Sequence, residues 1–444
     1  MAAWGSVVLA TSKDDTSDLS YQSGITNDLY SAFVANGDLN GQTPTYEAGD
    51  SMAFAHDLGN ITKSTPITFA VGQYRWHVVN YLGQEQTGYH VSKYDDVLEA
   101  VDGFLADYEA AYQESQSLDK QIEQASSAVS SDYADLTSAS VSFGAMEITL
   151  PASNIADTSN PYIFLKEIST DGNVNTVDVI YPTIAALSVL APDWIALLLD
   201  PVINYMQTGA WAQDYVIHDI GKVYPNAVGD TDPEPVILEC TGSFFIMVYA
   251  YQKLTGDKTW AQKYAALFEK YADYLINNGL YPASQLDTVD SIPATANQTN
   301  LALISAIGLK AYGAVTGNET YTQAAQNFAS EIYMNGLGTD QPGPRATHFT
   351  YNYGDASSWG TVRTTSRTAC GICGLLQYAQ VICRENCSQT RLLSLVMGRT
   401  RHLFLIVFYV SGANSGEFVT ARARPTLGST FALLAMNGFT VKWS

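Results

Sequence analysis

The chain has 444 residues, of which 46% are hydrophobic and only 15% are charged, enough apolar material for two or three domains with large cores. Acidic residues outnumber basic ones 44 to 22, and the net charge of -22 at pH 7 argues against a general nucleic-acid or anionic-membrane binder. The low charge content and 11% aromatic residues argue against intrinsic disorder.

The charge is unevenly distributed along the chain. Residues 1–344 carry 41 acidic and 12 basic residues, net -29, whereas residues 345–444 carry 3 acidic and 10 basic residues, net +7. Nine of the ten arginines and four of the five cysteines lie in this second part. Because the character of the sequence changes so abruptly, we do not interpret the positive part as a functional basic patch.

The predicted secondary structure changes type near residue 92. Short apolar runs at residues 7–10 and 67–71, separated by Gly, Asn and Asp clusters, predict β-structure. Apolar residues then recur at helical spacing over residues 95–122. Another apolar stretch, residues 183–206, is interrupted by Pro192, where a second helix can begin.

Three later segments share one layout, in which an apolar run ends in Thr-Gly and an aromatic residue opens the next segment. The aromatic residues are Trp211, Trp260 and Tyr321. Glycine at each end suits a left-handed helix C-cap, and residues 259–275 predict one helix with an aromatic face. Repeated helix–Thr-Gly–helix units indicate stacked αα-hairpins, which form an α/α toroid when closed into a ring. An irregular helical domain is the alternative.

Polar segments between the apolar helices are the candidate functional parts. The chain has no Gly-x-Ser-x-Gly elbow, phosphate-binding loop or His-Glu-x-x-His motif. In a ring of hairpins the connecting loops gather at one mouth, where they can line a common pocket. Carboxylates paired in such a pocket can activate water and protonate a leaving group. The segments are residues 166–178, 218–226, 232–240 and 297–300.

The candidate catalytic residues in these segments each have a simpler interpretation. His218 and Asp219 fit a loop hydrogen bond or a helix cap as well as a catalytic pair. Glu239 precedes an apolar run, so it fits an ordinary acid at a helix N-terminus. Asp178 lies among apolar residues, where an unpaired carboxylate is costly. Residues 297–300 also fit a glycosylation site or a helix cap.

The composition favours a secreted glycoprotein. Glycosylation sequons begin at Asn60, Asn297, Asn318 and Asn386, of which the first three are the predicted glycan sites. The chain is acidic and poor in lysine, as secreted proteins often are. Its first ten residues lack the basic start and apolar run of a secretory signal, and no apolar stretch is long enough to span a bilayer. We expect an extracellular chain, without a membrane partner, that starts after the true N-terminus.

Five segments resemble the fungal secreted glutaminase A family and run in the family's order. They are residues 164–179, 197–201, 218–227, 297–303 and 426–434. The resemblance extends over almost the whole chain. It implies a β-sandwich over residues 1–92, followed by an (α/α)6 six-hairpin-like toroid over residues 93–444. It also implies hydrolysis of L-glutamine to L-glutamate and ammonia outside the cell, without an organic cofactor; we predict no metal site.

The chain departs from the family pattern in places. Residues 4–11 look like the middle of the family's sandwich, so the first half of that domain is expected to be missing. The family's Pro-Val-Glu-Glu segment is here Pro235-Val-Ile-Leu-Glu239. Residues 362–417, with six arginines and four cysteines, lose the likeness. We hypothesise a shifted reading frame or wrong residue assignment there. The alternative is a genuine insertion or divergent segment with zinc-like cysteine spacing.

The residues and the resemblance together predict water activated by a carboxylate, because no activated Ser or Thr stands out. Asp219 or Glu239 is the predicted base, the other or Asp178 the predicted acid, and His218 orients a partner. The residues predicted to bind the α-carboxylate, α-amino group or amide of glutamine are Lys166, Asn173, Tyr224 and Asn300. A glycoside hydrolase, by fold analogy, and a non-catalytic carbohydrate-binding protein are the alternative functions.

Overall fold

The structure is a computed structural model that describes residues 5–12, 18–44, 50–58, 67–140, 146–167, 172–288, 292–338 and 348–359. The chain divides into two compact units. The first comprises Met1–His77 and Thr87–Ser117, and the second comprises Val78–Gln86 and Leu118–Ser444. The domain boundary expected after residue 92 stays a prediction.

The first unit is rich in β-structure. Its elements are β1 (Ser6–Thr11), β2 (Asp18–Ile25), α1 (Thr26–Asn36), β3 (Asp50–Asp57), β4 (Phe69–Tyr74) and α2 (Val97–Ala106). Strand β1 pairs antiparallel with β4, and β2 pairs antiparallel with β3. The predicted strand at residues 7–10 lies within β1, and the apolar run at 67–71 overlaps the start of β4. Helix α2 begins where Asp96 accepts hydrogen bonds from the N–H groups of Leu98 and Glu99.

Helix α3 (Tyr108–Ser126) continues the predicted helical region and leads into the second unit. That unit contains β7 (Met146–Pro151), β8 (Tyr162–Leu165), β9 (Asn226–Ala227) and most of β5 (His77–Tyr81) and β6 (Gln84–Gly88). These strands form a sheet in the order β8-β7-β6-β5-β9. A short antiparallel pair, β10 (Leu337–Gly338) and β11 (His348–Phe349), lies near its end.

Helices make up most of the second unit. They are α4 (Ser131–Ser140), α5 (Val177–Leu190), α6 (Trp194–Gln207), α7 (Ile237–Thr255), α8 (Thr259–Gln262), α9 (Ala265–Asn278), α10 (Thr299–Thr316) and α11 (Glu319–Asn335). The predicted order of a sheet-rich N-terminal region followed by a helical domain is confirmed. Within the described residues, no helix is long and apolar enough to cross a membrane.

Helix ends follow the sequence signals closely at most positions. The chain breaks between α5 and α6 around Pro192, as predicted. In each of the three Thr-Gly pairs the glycine has a positive φ; these glycines are Gly209, Gly256 and Gly317. The last two are left-handed C-caps of α7 and α10, a conformation that glycine adopts without the steric cost of a Cβ.

Two helix predictions were wrong. No helix opens at Trp211; its indole N–H instead donates to the carbonyl of Tyr215, and an irregular segment continues to β9. The helix predicted over residues 259–275 is divided into α8 and α9. Tyr264 takes a non-helical conformation there, and its hydroxyl joins the Trp260 indole in donating to the carboxylate of Asp200. Tertiary hydrogen bonds therefore override the local helical pattern.

Helices α7 and α10 pack with their backbones in contact. A Cβ added at Gly242 would lie 2.8 Å from the carbonyl oxygen of Ile304, and one at Gly308 would lie 2.9 Å from the Cα of Gly242. The N-terminal ends of both helices meet at Gln285. Its side-chain oxygen accepts from the N–H of Leu238 at 2.9 Å, and its carbonyl accepts from the Gln298 amide at 2.8 Å. The two helices therefore begin side by side.

This close contact predicts that Gly242→Ala destabilises the protein by about 1–3 kcal/mol, because the new methyl group overpacks the α7–α10 contact. Urea denaturation of both proteins measures the difference. Ser243→Ala on the same helix is the matched control, because the buried Ser243 hydroxyl has no hydrogen-bond partner within the described residues. An equal loss in the two variants would contradict the packing argument.

Candidate active site

Two loop segments pair ahead of α5 and bring the candidate residues together. The N–H of Val174 donates to the carbonyl of Gly221 at 2.8 Å, and the N–H of Ile220 donates to the carbonyl of Val174 at 3.0 Å. The N–H of Val177 donates to the carbonyl of His218 at 2.7 Å. This pairing holds His218 beside the first turn of α5, where Asp178 lies.

Asn175 fixes the first of these loops and was missed by the sequence analysis. Its backbone adopts a positive φ of 51°, which Asn tolerates better than most residues. Its buried side chain accepts from the N–H of Leu165 at 2.7 Å and donates to the carbonyls of Ile163 and Leu198. The start of α5 is thereby tied to β8 and to α6.

His218 lies between two buried carboxylates. Its Nδ1 is 2.9 Å from Oδ2 of Asp219, and its Nε2 makes a longer, 3.3 Å ion-pair contact with Oδ1 of Asp178. The other Asp219 oxygen accepts from the N–H of Gly221 at 2.9 Å. The side chains of His218 and Asp178 are 7% and 6% exposed, and Asp219 is fully buried.

The environment favours the charged form of the imidazole. An imidazole ring donates from both nitrogens only as the imidazolium. Burial lowers the pKa of His218, but the charge of Asp178 and hydrogen bonds to Asp178 and Asp219 outweigh it and raise the pKa well above its ordinary value. Burial likewise raises the pKa of Asp178, yet the charge and hydrogen bond of His218 and a hydrogen bond from Thr288 lower it overall. One cation therefore lies between two anions.

Glu239 joins this array through Thr288. Glu239 lies in the first turn of α7 and is 2% exposed. The backbone N–H of Thr288 donates to its Oε2 at 2.8 Å, and a hydrogen bond from the Thr288 side chain is among the causes that lower the pKa of Asp178. Asp178 and Glu239 each occupy the first turn of a helix, where the positive end of the helix dipole stabilises a carboxylate. No sequence motif marks Thr288, so the sequence analysis missed it.

Cys240, a buried free thiol, follows Glu239. Burial raises the pKa of its thiol well above the ordinary value, and the negative charges of Asp178 and Glu239 raise it further. A thiolate is the reactive form of cysteine, so this thiol is poorly suited to act as a nucleophile.

The predicted substrate-binding residues occupy two places. The ammonium of Lys166 lies 5.7 Å from the ring centroid of Tyr224, whose hydroxyl donates to Glu147 at 2.9 Å. Asn173 belongs to the same paired loops, and its carbonyl accepts from the N–H of Glu167 at 2.9 Å. Asn300 lies in the first turn of α10, which begins beside α7. Their binding roles stay predictions.

The predicted glycan sites are partly described. Asn297 and Asn318 are exposed, and Asn318 caps α11 by accepting from the N–H of Thr320 at 3.0 Å. Asn60, Asn386 and the cysteine-rich residues 362–417 lie outside the described residues. In the part of the chain that is described, no group of three or more His, Cys, Asp or Glu side chains is arranged to hold a metal ion.

Comparison with known proteins identifies the family. A family model described as the glutaminase A six helical-hairpin domain matches residues 130–365, and a domain of unknown function, DUF5127, matches residues 1–125. Glutaminase A of Aspergillus oryzae is 34% identical over 344 residues, covering 74% of this chain and 49% of that protein. The chain belongs to the glutaminase A family.

A second relative supports the same family. A protein of Arthroderma benhamiae described as a "probable glutaminase" is 28% identical over 295 residues, covering 52% of this chain and 33% of that protein. The chain thus spans about half the length of the first relative and a third of the second. The predicted family is confirmed, and the expected six-hairpin domain is part of it.

The ion array predicts a pH-dependent contribution to stability. Because the pKa of His218 is raised, its contribution is fully present below the unfolded value of 6.5 and is lost as the pH rises through the higher folded pKa. The lowered pKa of Asp178 gives a contribution that is present above 3.8 and is lost as the pH falls. His218→Gln should therefore lower the free energy of unfolding most between pH 3.8 and pH 6.5, by about 3–5 kcal/mol.

Denaturation of wild type and His218→Gln across the pH range measures this difference. The exposed His77, changed to Gln in the same way, is the control and should show little change at any pH. A His218→Gln deficit that stays constant from acid to alkaline pH would contradict the ion array.

Cys240→Ala is expected to retain catalytic activity, because the buried neutral thiol does not supply a nucleophile. The smaller side chain leaves a cavity and lowers stability by about 1 kcal/mol. Steady-state kinetics and thermal denaturation test the two effects separately. A loss of activity in a folded Cys240→Ala protein would assign chemistry to the thiol.

Proposed function

We propose that this chain is an extracellular amidohydrolase that converts L-glutamine to L-glutamate and ammonia. Family membership supports a glutaminase-type function, since one relative is named glutaminase A. The observation that carries the proposal is the pair of buried carboxylates, Asp178 and Glu239, held on either side of Thr288 beside the charged His218. Such a pair supplies the base and the acid that amide hydrolysis requires.

Asp178 is the proposed base. Hydrolysis of an amide by water needs a group that accepts the proton of the attacking water, and this group must be ionised. The pKa of Asp178 is lowered by the charge and hydrogen bond of His218 and by Thr288, despite its burial. Asp178 is therefore ionised at neutral pH, as a general base must be.

Glu239 is the proposed acid, which protonates the departing ammonia. The two ring nitrogens of His218 are occupied by Asp178 and Asp219, which leaves no ring nitrogen for Glu239. Two ionised carboxylates that share one site repel each other, so one of the pair favours its protonated form. Because Asp178 is the member of the pair beside the imidazolium, we assign the role of proton donor to Glu239.

Asp219 and His218 are proposed to position Asp178 rather than to react. Both oxygens of Asp219 already accept hydrogen bonds, from His218 and from Gly221, and the side chain has no exposure to solvent. Sequence alone left Asp219 and Glu239 as equal candidates for the base. The burial and contacts of Asp219 favour a supporting role.

Glutamine carries a carboxylate and an ammonium group beside the amide that is hydrolysed. Lys166 is the proposed partner of the α-carboxylate, since it lies on the loops that pair next to His218. We propose Asn173, Tyr224 and Asn300 as the remaining polar contacts of the substrate. Secretion with N-linked glycans is part of the same proposal and is supported by the exposed Asn297 and Asn318 and the acidic composition.

Asp178→Asn and Glu239→Gln are each expected to lower kcat for ammonia release from glutamine by about 10²–10⁴-fold, the usual effect of removing a general acid or base. Asp193→Asn, an exposed carboxylate at the start of α6, is the matched control and should leave kcat unchanged. Circular dichroism confirms that each variant is folded.

The two roles can be separated with a γ-glutamyl p-nitrophenyl ester, whose p-nitrophenolate leaving group departs as a stable anion and needs no protonation. Glu239→Gln should recover activity on this substrate, whereas Asp178→Asn should not. Full ammonia release by either folded variant would remove that residue from the mechanism. Release of reducing sugar from oligosaccharides by wild type, without ammonia from glutamine, would instead favour a glycoside hydrolase.

A further inference from the structure

Glu147 contacts the same tyrosine as Lys166, although no sequence pattern singled it out. Glu147 lies on β7, and its Oε2 accepts a hydrogen bond from the hydroxyl of Tyr224 at 2.9 Å. The ammonium of Lys166 lies 5.7 Å from the centroid of the same ring. Both charged side chains are partly buried. One anion and one cation therefore meet at opposite parts of Tyr224, its hydroxyl and its ring.

The pairing of β7 with β8 places these two charges on one face of the sheet. Glu147 is directly opposite Phe164, and residues opposite each other in an antiparallel pair project to the same face. Lys166 comes two residues after Phe164, and side chains two apart on an extended strand share a face. Glu147 and Lys166 are therefore diagonal neighbours, about 7–8 Å apart at the backbone.

This arrangement is complementary to the head group of an α-amino acid, which carries an ammonium and a carboxylate on one carbon. Each of these groups needs a partner of opposite charge at a hydrogen-bond distance of about 2.8 Å. A carboxylate has about four acceptor positions, and Tyr224 uses one of those on Glu147. Glu147 can therefore accept from an ammonium while it holds the tyrosine.

One backbone segment connects these charged residues to the proposed catalytic site. Lys166 forms an isolated β-bridge with Val174 of that segment, and the N–H of Tyr224 donates to the carbonyl of Gly172 at 2.6 Å. The segment continues into α5, whose first turn carries Asp178. The charged residues and the proposed base are therefore built on the same stretch of backbone.

We propose that Glu147 is a specificity-determining residue that binds the α-ammonium group of glutamine, while Lys166 binds its α-carboxylate. This role rests on the proposed function and deepens it, because it defines the substrate class. The enzyme acts on side-chain amides of free α-amino acids. Amides that lack either charge, and glutamine residues inside a peptide, are poor substrates.

The test compares L-glutamine with glutaramate, which is glutamine without its α-amino group. Glu147→Gln in the full chain should lower kcat/KM for glutamine about 10–100-fold, the effect of losing one charge-assisted hydrogen bond, and should leave glutaramate unchanged. Glu85→Gln, an exposed glutamate on the neighbouring strand β6, is the matched control and should change neither substrate. An equal fall for both substrates in Glu147→Gln, which a merely structural role produces, overturns the proposal, as does no fall for glutamine.

The reverse experiment uses γ-aminobutyramide, which is glutamine without its α-carboxylate. Lys166→Met should lower kcat/KM for glutamine and glutaramate and leave γ-aminobutyramide unchanged. Wild type should prefer glutamine to both analogues, because a site built to bind a polar group rejects a molecule that lacks it. This comparison needs no folded Glu147 variant, and equal kcat/KM values for the three amides contradict the proposal.

A binding measurement separates this proposal from the proposed function. If wild type releases no ammonia from glutamine, the proposed function fails, and the head-group site is judged by calorimetric titration with L-glutamate and with glutarate, which lacks the ammonium. Wild type should bind L-glutamate about 10–100-fold more tightly than glutarate, and Glu147→Gln should lose this preference. Equal binding of the two acids by wild type, or no binding of L-glutamate, overturns the head-group site.

Discussion

A single buried imidazolium organises the candidate site. His218 contacts Asp178 on one side and Asp219 on the other, in surroundings almost closed to water. Burying any one of these charges alone would be costly, so each is kept in place by the others. The surrounding backbone supports this arrangement, because the pairing of residues 174 and 177 with the 218–221 segment is what places the ring against α5.

The site also depends on where the helices begin, because Asp178 and Glu239 lie in the first turns of α5 and α7. Helices α7 and α10 begin side by side because Gly242 and Gly308 allow their backbones to touch and because Gln285 bonds to both ends. Thr288 then connects the start of α7 to the start of α5. A first-turn carboxylate at such an end is stabilised by the N–H groups of its helix, which favours the ionised form of Asp178 that the proposed base requires.

The sequence predicted what depends on local pattern. Pro192 and the Thr-Gly pairs mark helix ends because their backbone preferences act within a few residues. Asp178 and Glu239 were recognisable because a carboxylate beside an apolar run needs a partner. Thr288 was not, because its partners lie far away along the chain. The break at Tyr264 was missed for the same reason, since Asp200 imposes it from another helix.

The arrangement of charge also argues against Cys240 as a nucleophile, which agrees with the proposed use of water. Cys240 is adjacent to Glu239, and ionisation of its thiol would add a negative charge to a buried region that already holds Asp178 and Glu239. Those carboxylates raise the pKa of the thiol, so the thiolate is disfavoured where it would be needed. In the proposed mechanism the same two side chains act on water instead, since one accepts its proton and the other, once protonated, supplies a proton to the departing ammonia. Carboxylates that disfavour a thiolate at Cys240 are therefore the same groups to which the proposal assigns general acid–base hydrolysis.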